Sequence, residues 1–241
     1  MITIDEITII RDGREIIYDY SEQIPAGSIT VIVGPNGSGK STLLAAIAGD
    51  IAPAKGTITI DDHHPILTAP ETLARMRSMV IQNQNFSVGF TVREIIEMAG
   101  PAEEIMKSLK IEQLADRFVT TLSGGEAQRV AIAQAIAQDV PVLLLDEPLG
   151  KLDAMTREHI RADLQRLWMK TRPTVVFVTH SIEEAVQLSS KVAVITPRPG
   201  RIETVINIDL PFPRDLAIKG SAEFTGHVRH IQEIFHGYGV I

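Results

Sequence analysis

The chain has 241 residues, of which 44% are hydrophobic and 22% are charged, a composition that excludes a disordered chain or a fibre. It contains no cysteine, which excludes disulfides, thiolate catalysis and zinc–thiolate sites. The net charge of −7 at pH 7 argues against a general nucleic-acid-binding protein, which would normally carry a basic excess, so no nucleic-acid partner is expected.

The sequence contains no segment suited to enter or cross a membrane. Its most apolar long window, 130–145, is interrupted by polar residues and a proline, whereas a spanning helix needs about 20 mostly apolar residues. The N-terminus has neither the basic region nor the long apolar stretch of a secretory signal. We therefore expect a protein of the cytosol that contacts a membrane only through a partner.

The first predicted elements are strands. Ile2–Ile10 and Glu15–Tyr18 have β-rich sequences, and the pair Asp12-Gly13 between them is typical of a hairpin turn. Together they predict an N-terminal antiparallel β subdomain. Ile29–Val33 is shorter and more apolar, as expected of a buried central strand.

A glycine-rich segment follows this strand and fits the phosphate-loop pattern G-x-x-x-x-G-K-[ST]. Its residues are Gly34, Pro35, Asn36, Gly37, Ser38, Gly39, Lys40, Ser41 and Thr42. Glycines allow backbone N–H groups to close around phosphate oxygens, Lys40 supplies a positive charge, and Ser41 offers a hydroxyl to Mg²⁺. The helix predicted over Lys40–Ala48 completes the context that this motif requires, so we expect a nucleotide to bind here.

After a further strand at Gly56–Asp61, the pattern becomes helical over residues 86–138 and then alternates between strand and helix. The alternating elements are Val142–Leu145, Thr156–Lys170, Val175–Thr179, Ile182–Leu188 and Val192–Ile195. Such alternation predicts a parallel α/β sheet into which the helical block is inserted.

These elements predict a single domain, 1–241, with a P-loop NTPase (RecA-like) core. We assign the α/β core to 1–85 and 139–210, a helical subdomain to 86–138, and a C-terminal helical tail to 211–241.

The helical block contains a motif of the form L-S-G-G-x-x-x-R, which begins with Leu122, Ser123, Gly124, Gly125 and Glu126. A serine before two glycines at the start of a helix is a second place where phosphate could bind. One chain with one nucleotide hardly needs two such places, whereas two chains facing head to tail would use both. The alternative is that Ser123 simply caps the helix.

The strand Val142–Leu145 ends in two carboxylates, Asp146 and Glu147. Asp146 can hold Mg²⁺ directly or through water, and Glu147 is then free to orient or deprotonate an attacking water. The alternative is that Asp146 and Glu147 are ordinary solvated acids at the end of a strand. The phosphate loop earlier in the chain makes this alternative less favoured.

Taken together, these motifs resemble the ATP-binding subunit of an ATP-binding-cassette (ABC) transporter, over nearly the whole chain. The resemblance implies that Gln82 contacts Mg²⁺ or the attacking water and senses the membrane subunit, with Gln84 as the competing candidate. It also implies that Asp153 is the aspartate of the D-loop and that His180 contacts the γ-phosphate of ATP.

The same family usually places an aromatic residue upstream of the phosphate loop, where it stacks on adenine. Arg11 stands at the equivalent position here, and a guanidinium can also stack on a π-face. Ile16 is the next candidate by spacing.

Residues 146–157 and 196–202 are similar to importers of the nitrate, sulfonate and taurine type, a group that includes carriers of pyrimidine vitamin precursors. The resemblance implies a homodimeric ATPase at the cytoplasmic face of the membrane that uses ATP and Mg²⁺. It would power uptake of small anions or a vitamin precursor through a separate membrane permease, served indirectly by a solute-binding protein. The alternative is a soluble ABC ATPase that acts without a permease.

Overall fold

The computed structural model of the protein describes residues 1–82, 86–87 and 89–239. The strands are β1 (Ile2–Arg11), β2 (Arg14–Ile24), β3 (Ile29–Val33), β4 (Lys55–Ile60), β5 (Arg77–Val80), β6 (Val142–Asp146), β7 (Thr174–Thr179), β8 (Lys191–Ile195) and β9 (Ile202–Asn207). The helices are α1 (Lys40–Ala48), α2 (Pro70–Met76), α3 (Val92–Glu97), α4 (Ala102–Ser108), α5 (Gly124–Ala137), α6 (Ala154–Thr171), α7 (Ile182–Leu188) and α8 (Ala222–Gly237). None of the helices within these described ranges is both long and apolar enough to cross a membrane.

The strands form two sheets. The smaller one is antiparallel with the order β2-β1-β4, and the larger one has the order β5-β6-β7-β3-β8-β9. In the larger sheet all neighbours are parallel except β9, which runs antiparallel to β8. The turn at Asp12 and Gly13 closes the β1–β2 hairpin with left-handed φ angles of 51° and 72°. The predicted parallel α/β sheet and the antiparallel β subdomain are therefore confirmed.

The central strands of the larger sheet, β6, β7, β3 and β8, are buried on both faces, which explains why their sequences are nearly continuously apolar. In β3, Val31 and Val33 belong to the core shared with the helices of the 92–137 region and with α6 and α7. Ile32 belongs to the core shared with α1 and the smaller sheet. All three side chains are fully buried.

Because β5, β6, β7, β3 and β8 are parallel, their carboxyl ends lie along one edge of the sheet. In open α/β sheets, ligands bind outside this edge. The segments that follow these strands, including the phosphate loop after β3, are therefore neighbours in space although they are far apart in the chain.

Three elements were not predicted from the sequence: the helix α2 and the strands β5 and β9. The sequence of β5 begins with Arg77 and Ser78 and has no apolar run, and its strand conformation comes from parallel pairing with β6. The strand β2 also continues beyond the predicted Tyr18, because β1 supplies a pairing partner as far as Ile24. For the subdomain boundaries we propose the same residues as in the sequence analysis.

Candidate functional site

The phosphate loop joins β3 to α1 and contains two glycines with left-handed backbone angles, Gly37 at φ 78° and Gly39 at φ 97°. A Cβ atom on Gly39 would lie only 2.9 Å from Ile16 Cγ2 and from Ile17 Cδ1. Both the backbone angle and the close packing against β2 therefore require glycine at position 39.

Lys40, the first residue of α1, is held inside this loop. Its side chain is buried, and Nζ donates hydrogen bonds to the carbonyl oxygens of Gly34 and Pro35, each at 2.9 Å. Burial lowers the pKa of Lys40, while the nearby carboxylates of Glu147 and Asp146 act in the opposite direction. The ammonium is thus fixed at the loop by neutral acceptors that phosphate oxygens could replace.

A cavity of about 490 Å³ opens beside the loop at the carboxyl edge of the larger sheet. It is lined by Asn36, Gly37, Gly39, Lys40, Ser41, Thr42, Gln82, Glu147, His180 and Arg198. These residues come from the segments after β3, β5, β6, β7 and β8, so the cavity exists only because these strands are adjacent in the sheet. Hereafter it is called the phosphate-loop cavity.

Asp146 ends β6 and lies next to the phosphate loop. Its Oδ1 accepts a hydrogen bond from Ser41 Oγ at 3.0 Å. Burial raises the pKa of Asp146, and the bond from Ser41 partly opposes that change. The structure thus brings together the hydroxyl and the carboxylate that the sequence assigns to Mg²⁺, and both are oxygen donors of the kind that this cation prefers.

Glu147 follows Asp146 with a left-handed φ of 43°, and its N–H donates to Val178 O at 3.0 Å. Its Oε2 accepts a hydrogen bond from Gln82 Nε2 at 2.8 Å and lies 3.3 Å from His180 Nδ1. Gln82 and His180, whose roles the family resemblance implied, therefore both lie at the carboxylate of Glu147. The competing residue Gln84 lies outside the described residues.

The L-S-G-G motif occupies a different surface. Ser123 caps α5, because its Oγ accepts from Glu126 N–H at 3.3 Å while Glu126 Oε2 accepts from Ser123 N–H at 2.8 Å. This second bond lowers the pKa of Glu126. The capping role is therefore present, and the exposed Ser123 and Gly124 do not belong to the lining of the phosphate-loop cavity.

The motif lies beside residues 149–153 of the same chain. A Cβ atom on Gly125 would be 3.4 Å from Leu152 Cδ2, and one on Gly124 would be 3.7 Å from Lys151 Cδ. Asp153 is exposed and caps α6 by accepting a hydrogen bond from Thr156 N–H at 3.0 Å. The L-S-G-G motif and residues 149–153 are therefore neighbours, and neither segment belongs to the lining of the phosphate-loop cavity.

The two residues predicted to contact adenine, Arg11 and Ile16, lie in different surroundings. Arg11 is exposed at the end of the β1–β2 hairpin, opposite Arg14, and does not line the phosphate-loop cavity. Ile16 is buried and packs against the loop at Gly39. The contact of Arg11 with adenine stays a prediction.

Arg198 lines the phosphate-loop cavity, although the sequence analysis gave it no role. The one signal available in the sequence was the position of Arg198 in the turn that follows the predicted strand Val192–Ile195. That signal points to the site only when β8 is known to be the neighbour of β3, and the sequence does not contain the order of the strands.

Comparisons with known proteins show which family this chain resembles. A family model described as ABC transporter matches residues 17–150, which include the phosphate loop, Ser123 and Glu147. The chain is 33% identical over 236 residues to the aliphatic sulfonates import ATP-binding protein of Bacillus cereus, covering 94% of this chain and 91% of that protein. It is 35% identical over 230 residues to the taurine import ATP-binding protein of Roseobacter denitrificans, covering 88% and 84%. It is also similar to a solved dimeric structure of an ATP-binding cassette in a post-hydrolysis state, bound to ADP and Pi. The TM-score is 0.76 and the identity 28%, and the match covers 88% of this chain and 100% of the cassette chain.

Proposed function

This chain belongs to the ABC transporter family of ATP-binding proteins, and from that membership we propose that it hydrolyses ATP to drive solute import through a separate membrane permease. The observation that carries the proposal is the phosphate-loop cavity, where Gln82, Glu147 and His180 meet beside the loop. A phosphate-binding loop and a carboxylate in one cavity suit hydrolysis better than nucleotide binding alone.

The phosphate loop and the start of α1 are proposed to bind the β- and γ-phosphates of ATP. Lys40 would exchange its two carbonyl partners for phosphate oxygens, because hydrogen bonds between charged groups are stronger. Ser41, Asp146 and Gln82 supply the oxygen atoms for Mg²⁺, which when bound would neutralise charge on the phosphates. The 3.0 Å contact between Ser41 and Asp146 supports this assignment.

Glu147 is proposed to orient the attacking water and accept its proton. Gln82 donates a hydrogen bond to Oε2 of this carboxylate, which leaves Oε1 available to accept from the water. His180, whose side chain is 59% exposed, lies close enough to the same carboxylate to contact a γ-phosphate in this cavity. The fixed backbone of Glu147 keeps the carboxylate in place, which a positioned base requires.

We further propose that two copies of the chain bind ATP between them, head to tail. The helix N-terminus at Ser123 is exposed and does not line the chain's own phosphate-loop cavity, so it is suited to bind phosphate held by a second copy. In this arrangement Asp153, on the same surface, also lies at the contact between the copies. The dimeric cassette to which the chain is similar supports this arrangement.

Mixing two inactive variants tests the shared site. Lys40→Ala damages the phosphate loop, and Ser123→Arg blocks the opposing helix, so each homodimer alone should be inactive. A mixed dimer has one damaged and one intact site, and we expect mixing to restore ATP binding between the chains and partial hydrolysis. Activity of either variant without mixing would contradict a site shared by two chains.

The proposed solutes are small anions such as sulfonates, taurine or nitrate, or a vitamin precursor. The two import relatives and the segment at 196–202 support this class. The chain would then act at the cytoplasmic face of the membrane, bound to its permease, with a solute-binding protein on the other side. The test is ATP hydrolysis and solute uptake in vesicles that contain candidate permeases, and hydrolysis unaffected by any of them would favour the soluble ABC ATPase.

A further inference from the structure

The turn that follows β8, at residues 196–201, is built rigidly. Thr196 N–H donates to Arg201 O at 3.0 Å, and Arg201 N–H donates to Thr196 Oγ1 at 3.1 Å. Gly200 N–H donates to Ile16 O at 2.8 Å, which joins the turn to β2. The turn is therefore fixed to the strand that also packs against the phosphate loop.

The same turn touches the phosphate loop directly. A Cβ atom on Gly200 would lie 2.2 Å from Ser38 O, so the two backbones are in contact and only glycine fits at this position. The distance between the turn and the loop is consequently set by backbone packing. Side chains of the turn that point toward the cavity start from a defined position.

The two arginines of the turn have different surroundings. Arg201 places its guanidinium 4.2 Å from the centre of the Tyr18 ring, which gives it a cation–π partner. Arg198 instead lines the phosphate-loop cavity, and its Nε donates to Gly37 O at 3.1 Å. Only Arg198 is thus directed to the tip of the phosphate loop.

Arg198 has no partner of opposite charge in the part of the chain that the structure describes. Its single hydrogen bond there goes to a neutral carbonyl, and its two terminal nitrogens make none. Arginine forms its strongest contacts with phosphates and carboxylates, which match its fork of donors. An unpaired guanidinium at the mouth of a phosphate-binding loop therefore has the chemistry to bind an anion.

We infer that Arg198 is a nucleotide-binding residue that contacts the phosphate chain of the bound nucleotide. The inference rests on the proposed role of the phosphate loop. With ATP bound, the guanidinium donates to phosphate oxygens from the β8 side of the loop, opposite the β6 and β7 side that carries Glu147 and His180. It adds a second positive side chain to that of Lys40.

The test compares the affinities of the full chain for ATP and for adenosine, each measured by competition with a fluorescent ATP analogue. Arg198→Met keeps the length of the side chain and removes its charge, and we expect about tenfold weaker ATP binding with unchanged adenosine binding. Arg198→Lys should restore part of the loss, and added KCl should shrink the difference. Arg201→Met, in the same turn, is the matched control and should bind ATP like the parent.

Three results would overturn the inference while leaving the proposed function intact. The first is unchanged ATP affinity in Arg198→Met under conditions in which Lys40→Ala loses it. The second is an equal loss for ATP and adenosine together with a lower melting temperature, which would show a purely structural contact with Gly37. The third is a loss that disappears on dilution to monomers, which would show a contact with a second chain. Unchanged ATP affinity in Lys40→Ala would overturn the proposed function as well.

Discussion

Replacing Glu147 by glutamine removes the proposed proton acceptor while keeping the size of the side chain. The amide oxygen can still accept the hydrogen bond that Gln82 now donates at 2.8 Å, and the backbone bond to Val178 is unaffected. ATP binding should therefore survive. Loss of a positioned base slows a reaction by ~10²–10⁴, which corresponds to a barrier higher by ~3–5 kcal/mol.

The assay combines steady-state phosphate release, titration with ATP, and size-exclusion chromatography in the presence of ATP. For Glu147→Gln we expect parent-like affinity, turnover reduced by the factor above, and accumulation of an ATP-bound dimer. Glu6→Gln is the matched control, because Glu6 also has a left-handed φ, 47° against 43°, but lies in β1 away from the cavity. Turnover at the parent rate in Glu147→Gln would refute the role assigned to this carboxylate.

Three further substitutions test other parts of the proposal. Arg11→Ala should weaken ATP binding by about two- to thirtyfold if the guanidinium stacks on adenine. Arg14→Ala, across the hairpin from Arg11, is the control and should bind ATP like the parent. Equal ATP affinity of Arg11→Ala and the parent would show that another residue holds the base. Glu126→Ala removes the capping box of α5 and should lower the unfolding free energy by about 1 kcal/mol, or the melting temperature by about 2–4 °C. Hydrogen bonding lowers the pKa of Glu126 in the folded state. The stability difference between the parent and Glu126→Ala should therefore be complete above the unfolded carboxyl pKa of about 4.3 and shrink as the pH falls through the folded-state pKa. A stability difference that persists in acid would contradict the capping role. Phe90, 39% exposed, is a candidate for docking the permease, so Phe90→Asp should melt like the parent but fail to co-purify with the permease. Phe86→Asp should instead lower the melting temperature, because Phe86 packs on the core. Normal co-purification of the Phe90 variant would contradict the docking role.

The sequence by itself was sufficient for features whose physical causes lie within a few consecutive residues. The predicted bounds of β3, α1 and α7 agree with the structure. An apolar β-branched run and a glycine turn before a helix are both local signals. The phosphate loop is recognisable for the same reason, because all its binding groups lie on one short segment.

Only the tertiary structure decided which distant segments share the cavity. The strand β5 has no apolar pattern of its own and forms against β6, whose residues come more than 60 positions later in the chain. Arg198 reaches the phosphate loop because β8 pairs with β3, joining Thr30 to Lys191. The sequence of a strand does not record which strand it will pair with, since backbone hydrogen bonds are alike for every residue type and the partners are chosen by how the whole sheet packs.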